Sequence, residues 1–141
     1  MNIPFFENQR ILITGCCGTV GSELVRQLLN EECCSPLEVV GIDNNESALF
    51  FLEQQYLDDN RVRFFLGDIR DEQDLTRKFK GIDVVLHAAA FKHVIVCERV
   101  PDQVVQTNIL GVQNVISAAQ FNDVKTVIFT SSDKAVNPTN V

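Results

Sequence analysis

The chain has 141 residues, 45% of them apolar, with 19 acidic side chains against 12 basic ones for a net charge of −7. Charges of both signs are spread along it without low-complexity blocks, as in a single soluble globular domain. The acidic balance and the lack of a basic cluster exclude bulk nucleic-acid binding; no apolar run approaches the ~20 residues of a membrane span, and residues 1–7 lack the basic start and apolar core of a signal peptide, so a cytoplasmic protein is expected. The five cysteines fall as Cys16-Cys17, Cys33-Cys34 and Cys97, without a C-x-x-C spacing or a histidine cluster, and are read as reduced thiols with no metal role.

In chain order, Ile11-Leu12-Ile13 mark a first strand over residues 10–14, which runs into Thr14-Gly15-Cys16-Cys17-Gly18-Thr19-Val20-Gly21. A strand entering a glycine-rich turn and then a helix leaves the helix's first amides unpaired and aimed at an anion. Gly15 permits the tight turn, Gly18 lets a pyrophosphate approach the backbone, and Gly21 lets the helix pack closely. Gly15, Cys17, Gly18, Thr19, Val20 and Gly21 are therefore the expected cofactor cradle. An ordinary strand-to-helix turn is the alternative. The G-x-x-G-x-x-G spacing resembles that of short-chain dehydrogenase/reductase proteins, especially the extended subgroup.

A helix follows over residues 19–31, with Val20, Leu24, Val25, Leu28 and Leu29 at helical spacing. Residues 37–42 read as a second strand, ending at the polar cluster Asp43-Asn44-Asn45-Glu46. Ala48, Leu49, Leu52 and Tyr56 mark the next helix, residues 61–66 a third strand, and a short helix reaches about residue 80. Residues 83–87 form strand four. After a loop, a long helix spans about residues 102–120, with Val104, Val105, Ile109, Val112, Val115 and Ile116 expected to face inward. Strand five covers residues 125–131 and is expected to be an apolar edge that promotes self-association. Alternating strands and helices predict an α/β fold: a doubly wound parallel sheet, strand order 3-2-1-4-5, with ligands at the carboxyl ends of strands one and four. A receiver-like domain would need acidic residues where this chain has Thr14 and Gly15.

Asp43, at the end of strand two, stands where an acidic residue binds the adenosine ribose in NAD-selective folds, and no arginine follows to receive a 2′-phosphate. NAD is favoured over NADP, and capping of the next helix is the alternative role. Gly67-Asp68-Ile69 resembles the extended-subgroup pattern in which the acidic residue meets the adenine amino group and its apolar neighbour packs on the ring; a surface turn is the alternative. Three small side chains, Ala88, Ala89 and Ala90, let a flat cofactor lie against the backbone, while His87 reads as structural.

His87-Ala88-Ala89-Ala90-Phe91-Lys92-His93-Val94, Thr107-Asn108 and the stretch from Ser131 to Asn140 together resemble the polysaccharide-biosynthesis nucleotide-sugar dehydratases, above all the UDP-N-acetylglucosamine 4,6-dehydratases. The resemblance spans essentially the whole chain. It implies a nicotinamide cofactor and a UDP-sugar substrate, oxidised at C4 before water leaves across C5 and C6. It further implies that Lys134 removes the C5 proton, Asp133 protonates the departing C6 hydroxyl and Ser132 binds the C4 oxygen. A salt bridge between neighbouring side chains is the plain alternative for Asp133 and Lys134. Lys92 is a candidate contact to substrate or cofactor, or a solvated loop lysine. Asn108 is a candidate substrate-site residue that holds a water or a backbone carbonyl, or a helix-packing residue. The family continues past the position of Val141 with Tyr or Met and then Lys, so residues 1–141 are expected to be the cofactor-binding part, without the substrate-binding part, of a protein that is a homo-oligomer at full length. An epimerase of the same superfamily and a non-catalytic dinucleotide-binding module remain the alternatives.

Overall fold

The structure, a computed structural model, describes residues 4–30, 32 and 34–131. Five parallel strands, β1 (Arg10–Thr14), β2 (Glu38–Asp43), β3 (Val62–Leu66), β4 (Val84–His87) and β5 (Thr126–Phe129), form one sheet in the order β3-β2-β1-β4-β5. This is the expected doubly wound topology. β1 lies at the centre, with Leu12 opposite both Val40 and Val85, so the winding reverses between β1 and β4.

Because successive strand residues point to opposite faces, β1 feeds two cores. Ile11 and Ile13 pack with Val25 and Leu28 of α1 (Thr19–Leu28) and with Leu49 and Leu52 of α2 (Glu46–Gln54). Leu12 packs on the other side with Leu75 of α3 (Glu72–Lys78) and with Phe79 and Val115. Polar caps set the starts of two helices: Asn45 accepts from the Ala48 amide and Asp71 from the Asp74 amide, which stops the chain from extending as strand.

Two regions differ from expectation. Part of the loop after β4 forms a short helix, α4 (Val94–Arg99), none of whose residues is buried. Its consecutive Val94, Ile95 and Val96 carry no amphipathic period, which hid it. The long helix is divided into α5 (Pro101–Val105), a π-helical segment (Gln106–Leu110) and α6 (Gly111–Phe121). Of the six residues expected to face inward, Val115 is fully buried, but Val105, Ile109 and Ile116 are exposed; the buried face is instead Thr107, Gly111, Val115, Ala118 and Ala119. The wide π turn shifts the helical phase, and small residues let α6 close on the core. A Cβ at Gly111 would lie 2.8 Å from the Ile69 side chain. Among the described residues, no helix is long and apolar enough to cross a membrane.

Candidate cofactor site

The glycine turn sits between the carboxyl ends of β1 and β4. Gly15 has φ +71°, the left-handed conformation that favours glycine, and a Cβ there would lie 2.7 Å from the Ala89 backbone. The turn and the alanine stretch are thus in backbone contact, which places half-buried Ala88 and Ala89 and exposed Ala90 at the same edge. A Cβ at Gly21 would stand 2.1 Å from the Gly15 carbonyl oxygen, so this glycine is required by the approach of α1 to the turn. Gly18 differs. A Cβ there would meet protein atoms no closer than 3.4 Å, at ordinary contact distance, so the protein's own packing does not demand glycine at that position.

The amides of the turn are distributed in order. Gly15 donates to the Ile42 carbonyl at 2.8 Å, Cys17 donates to Asp43 Oδ2 at 3.0 Å, and Gly18 donates to the Gly15 carbonyl at 3.1 Å. The Ser22 amide then reaches the Gly18 carbonyl, opening the helical ladder after Thr19, Val20 and Gly21. No side chain caps α1, and no acidic residue lies in its first turn, so the positive end of the helix keeps room for an anion. Thr19 and Val20 are exposed there. These features fit the diphosphate of a dinucleotide.

Asp43 holds this arrangement from β2. Its second oxygen accepts from the Asn45 amide at 3.0 Å, and Asn45 rather than Asp43 caps α2. The capping alternative for Asp43 is therefore set aside. The neighbouring thiols are protonated groups: burial, reinforced by the Asp43 charge, pushes Cys17 up to about 11 and Cys16 further.

At the end of β3, Asp68 is half-buried and bound by Arg70 through both the backbone amide and the guanidinium, whose hydrogen bonds hold its carboxyl below the usual range. Arg70 also donates to Gln103 Oε1 at 2.9 Å, tying this corner to α5. Ile69 is placed in the core under Gly111, with only 6% of it exposed. At the end of β4, His87 is buried, with Nδ1 2.7 Å from Thr14 Oγ1, and burial holds its pKa down to about 4. This neutral pair clamps β1 to β4 directly beneath the crevice.

Asn108 lies in the π segment and grips Phe91 at both ends: its Oδ1 accepts from the Phe91 amide and its Nδ2 donates to the Phe91 carbonyl, each at 2.9 Å. The backbone-carbonyl role expected for it is the one observed. The adjacent Thr107 hydroxyl is buried and finds no hydrogen-bond partner among the described residues. Lys92, next to the gripped residue, is exposed. Ser132, Asp133 and Lys134 lie outside the described residues. A shallow cleft between α1 and α2, lined in part by Cys17, Val20, Leu52 and Tyr56, touches one flank of the turn, whereas the glycine turn, Asp43 and the alanines converge at the strand ends. Sequence reasoning missed the Thr14–His87 pair, the Asp43 grip on Cys17 and the Arg70 bridge; the only local sign was the closely spaced D-x-R of Asp68 and Arg70.

Known proteins share both sequence and fold. A Methanocaldococcus jannaschii protein named as an uncharacterized membrane protein is 44% identical over 97% of this chain, and a Campylobacter jejuni UDP-N-acetylglucosamine 4,6-dehydratase (inverting) is 40% identical over 96%. A Rickettsia bellii UDP-glucose 4-epimerase is 35% identical over 96%. The chain spans 40% of the length of each of these relatives. Among solved structures, Pen from Bacillus thuringiensis superposes with a TM-score of 0.90 at 40% identity, covering 96% of this chain and 41% of that one. A double mutant of DesIV, a dTDP-glucose 4,6-dehydratase from Streptomyces venezuelae solved with NAD and DAU bound, gives 0.77 at 34% identity, covering 84% and 38%. The polysaccharide biosynthesis protein family matches residues 11–141, nearly the whole sequence and all five strands, and the chain belongs to that family.

Proposed function

We propose that this chain is the cofactor-binding part of an NAD-dependent nucleotide-sugar 4,6-dehydratase acting on UDP-N-acetylglucosamine. The observation that carries the reading is the uncapped start of α1 beside Gly18, braced by Asp43 at the switch between β1 and β4. The C. jejuni relative supplies the substrate class, and the NAD in the DesIV structure supports the cofactor. When bound, NAD would supply hydride acceptance from the sugar C4 and hydride return to C6 once water has left. The first-turn amides of α1 hold the diphosphate, Asp43 holds the adenosine ribose and disfavours a 2′-phosphate, and Ala88–Ala90 leave room for the cofactor plane. Asp68 is the candidate for the adenine amino group, its remaining acceptor capacity standing beside Arg70; the buried Ile69 has little surface left for the ring. Lys134 takes the C5 proton, Asp133 donates a proton to the leaving C6 oxygen, Ser132 binds the C4 oxygen, and Lys92 contacts the substrate or cofactor.

The test is product analysis with the full-length protein. Lys134→Ala is expected to lower release of the 4-keto-6-deoxy sugar by ~10² to 10⁴ while leaving NAD affinity nearly unchanged. Turnover within a few-fold of the parent overturns the assignment. A 4-epimerase is the second reading, favoured by the R. bellii relative. It predicts a C4-inverted sugar that keeps its C6 hydroxyl, which the same assay detects.

A further inference from the structure

Cys16 of the glycine turn lies in the core and Cys17 packs against it, but an apolar side chain of similar size would fill either place, so the packing does not call for thiols. The turn needs glycine at positions 15 and 21 and a backbone amide at position 17, yet it carries adjacent thiols facing a carboxylate. Cys16 Sγ, Cys17 Sγ and a carboxylate oxygen of Asp43 lie within 4.8 Å of one another. Cys16 is fully buried, its sulfur against the position a Cβ on Gly41 would take, whereas Cys17 and Asp43 are half-exposed. One side of the trio is therefore dry and fixed, and the other opens outward.

We propose that Cys16, Cys17 and Asp43 form a site for a thiophilic divalent cation of the zinc or cadmium class. Two sulfurs and one carboxylate favour such ions over magnesium or calcium, which take all-oxygen ligand sets. Tetrahedral ligation with Zn–S bonds of about 2.3 Å places the sulfurs about 3.8 Å apart, so the trio closes on an ion by moving about 1 Å or less. Three protein ligands leave a fourth position for water on the open side. The outer support is already present: Asp43 is oriented by the Cys17 and Asn45 amides, and its carboxylate retains lone pairs for a metal. Binding requires both thiols to lose their protons, so each cation taken up releases two protons.

The site shares Asp43 with the proposed ribose contact and Cys17 with the diphosphate turn, so cation and dinucleotide exclude each other; this competition rests on the cofactor reading above, whereas cation binding itself does not. The experiment titrates the reduced full chain with cadmium, following the thiolate-to-metal ultraviolet band, the protons released and the stoichiometry. One high-affinity cation with two protons released is expected. Cys17→Ser and Asp43→Asn should each weaken it at least tenfold, and Cys33→Ser, which breaks the other adjacent pair, should leave it in place. NAD should raise the apparent cadmium dissociation constant, with cadmium doing the same to NAD. Full cadmium affinity in Cys17→Ser, loss of the site in Cys33→Ser, or NAD and cadmium binding independently overturns the proposal. Should Cys17→Ser fold poorly, the competition and proton count in the native chain decide it. A chain that binds cadmium through Cys17 but no NAD supports the cation site and removes the cofactor reading; one that binds NAD but no cadmium at these residues does the reverse.

Discussion

Replacing Asp43 by alanine separates a ribose ligand from a structural brace. If Asp43 served only a bound cofactor, its loss would leave the free protein untouched. The structure instead gives its two oxygens two backbone amides. The Asn45 amide is exposed and recovers water when the carboxylate is removed, so that bond contributes close to nothing net. The Cys17 amide is part-buried, in a turn whose neighbouring amides are committed to Ile42 and Gly15. A hydrogen bond to a charged acceptor contributes about 1.5–3 kcal/mol, and partial solvent access places this one near 2 kcal/mol. Asp43→Asn keeps an acceptor without the charge and should lose about half of that. Urea unfolding of the cofactor-free protein is the assay. With a slope of about 2 kcal/mol per molar, the midpoint should fall by about 1 M for alanine and about 0.5 M for asparagine. An alanine variant with an unmoved midpoint would refute the brace, even if its NAD affinity collapsed.

Further outcomes are open to measurement. His87 is held neutral by burial, its pKa lowered from 6.5 to about 4, so the unfolded chain takes up the proton first and stability falls as pH drops through that window, by up to about 3 kcal/mol. Stability curves of the parent and His87→Gln should diverge between pH 6.5 and 4, the variant being flatter; parallel curves would remove His87 as the cause. Asn108→Ala frees both polar groups of Phe91 and should speed hydrogen exchange at that amide roughly fivefold to tenfold with little change in global melting, which native-state exchange would show.

The sheet was legible because each strand announces itself: Ile11-Leu12-Ile13 and Val84-Val85-Leu86 are short apolar runs, buried on both faces, between turn residues. The glycine turn was legible because Gly15 and Gly21 answer to backbone contacts within a few residues of themselves or at the expected strand end. What escaped had no local signature. Thr14 and His87 are 73 residues apart and meet only once β1 and β4 pair. Helix α4 hides its type because its apolar side chains point outward. Ile69 looked like a surface platform beside Asp68, but burial of its side chain was decided by Gly111, 42 positions later (111 minus 69), which admits α6 to the core. The expected chemistry of Ser132, Asp133 and Lys134 stands on the resemblance alone.

The π segment has a consequence for how this chain tolerates insertion and deletion. The Gly111 amide bonds to the Gln106 carbonyl five residues back, so the helix carries one residue more than a regular ladder would use. That surplus serves two masters: α6 is seated by Gly111 against Ile69, and Asn108 must still reach Phe91. Excising a single residue from Gln106–Leu110 would restore a regular helix, and everything on its amino-terminal side would rotate by about 100° and shift by about 1.5 Å relative to α6. Asn108 would swing off Phe91 and Thr107 out of its buried place, while α6 kept its seat on the core. In this helix a change of length, harmless in a surface loop, would uncouple the strand-end loop without unfolding the sheet, so its residue count is as constrained as any side chain in the crevice.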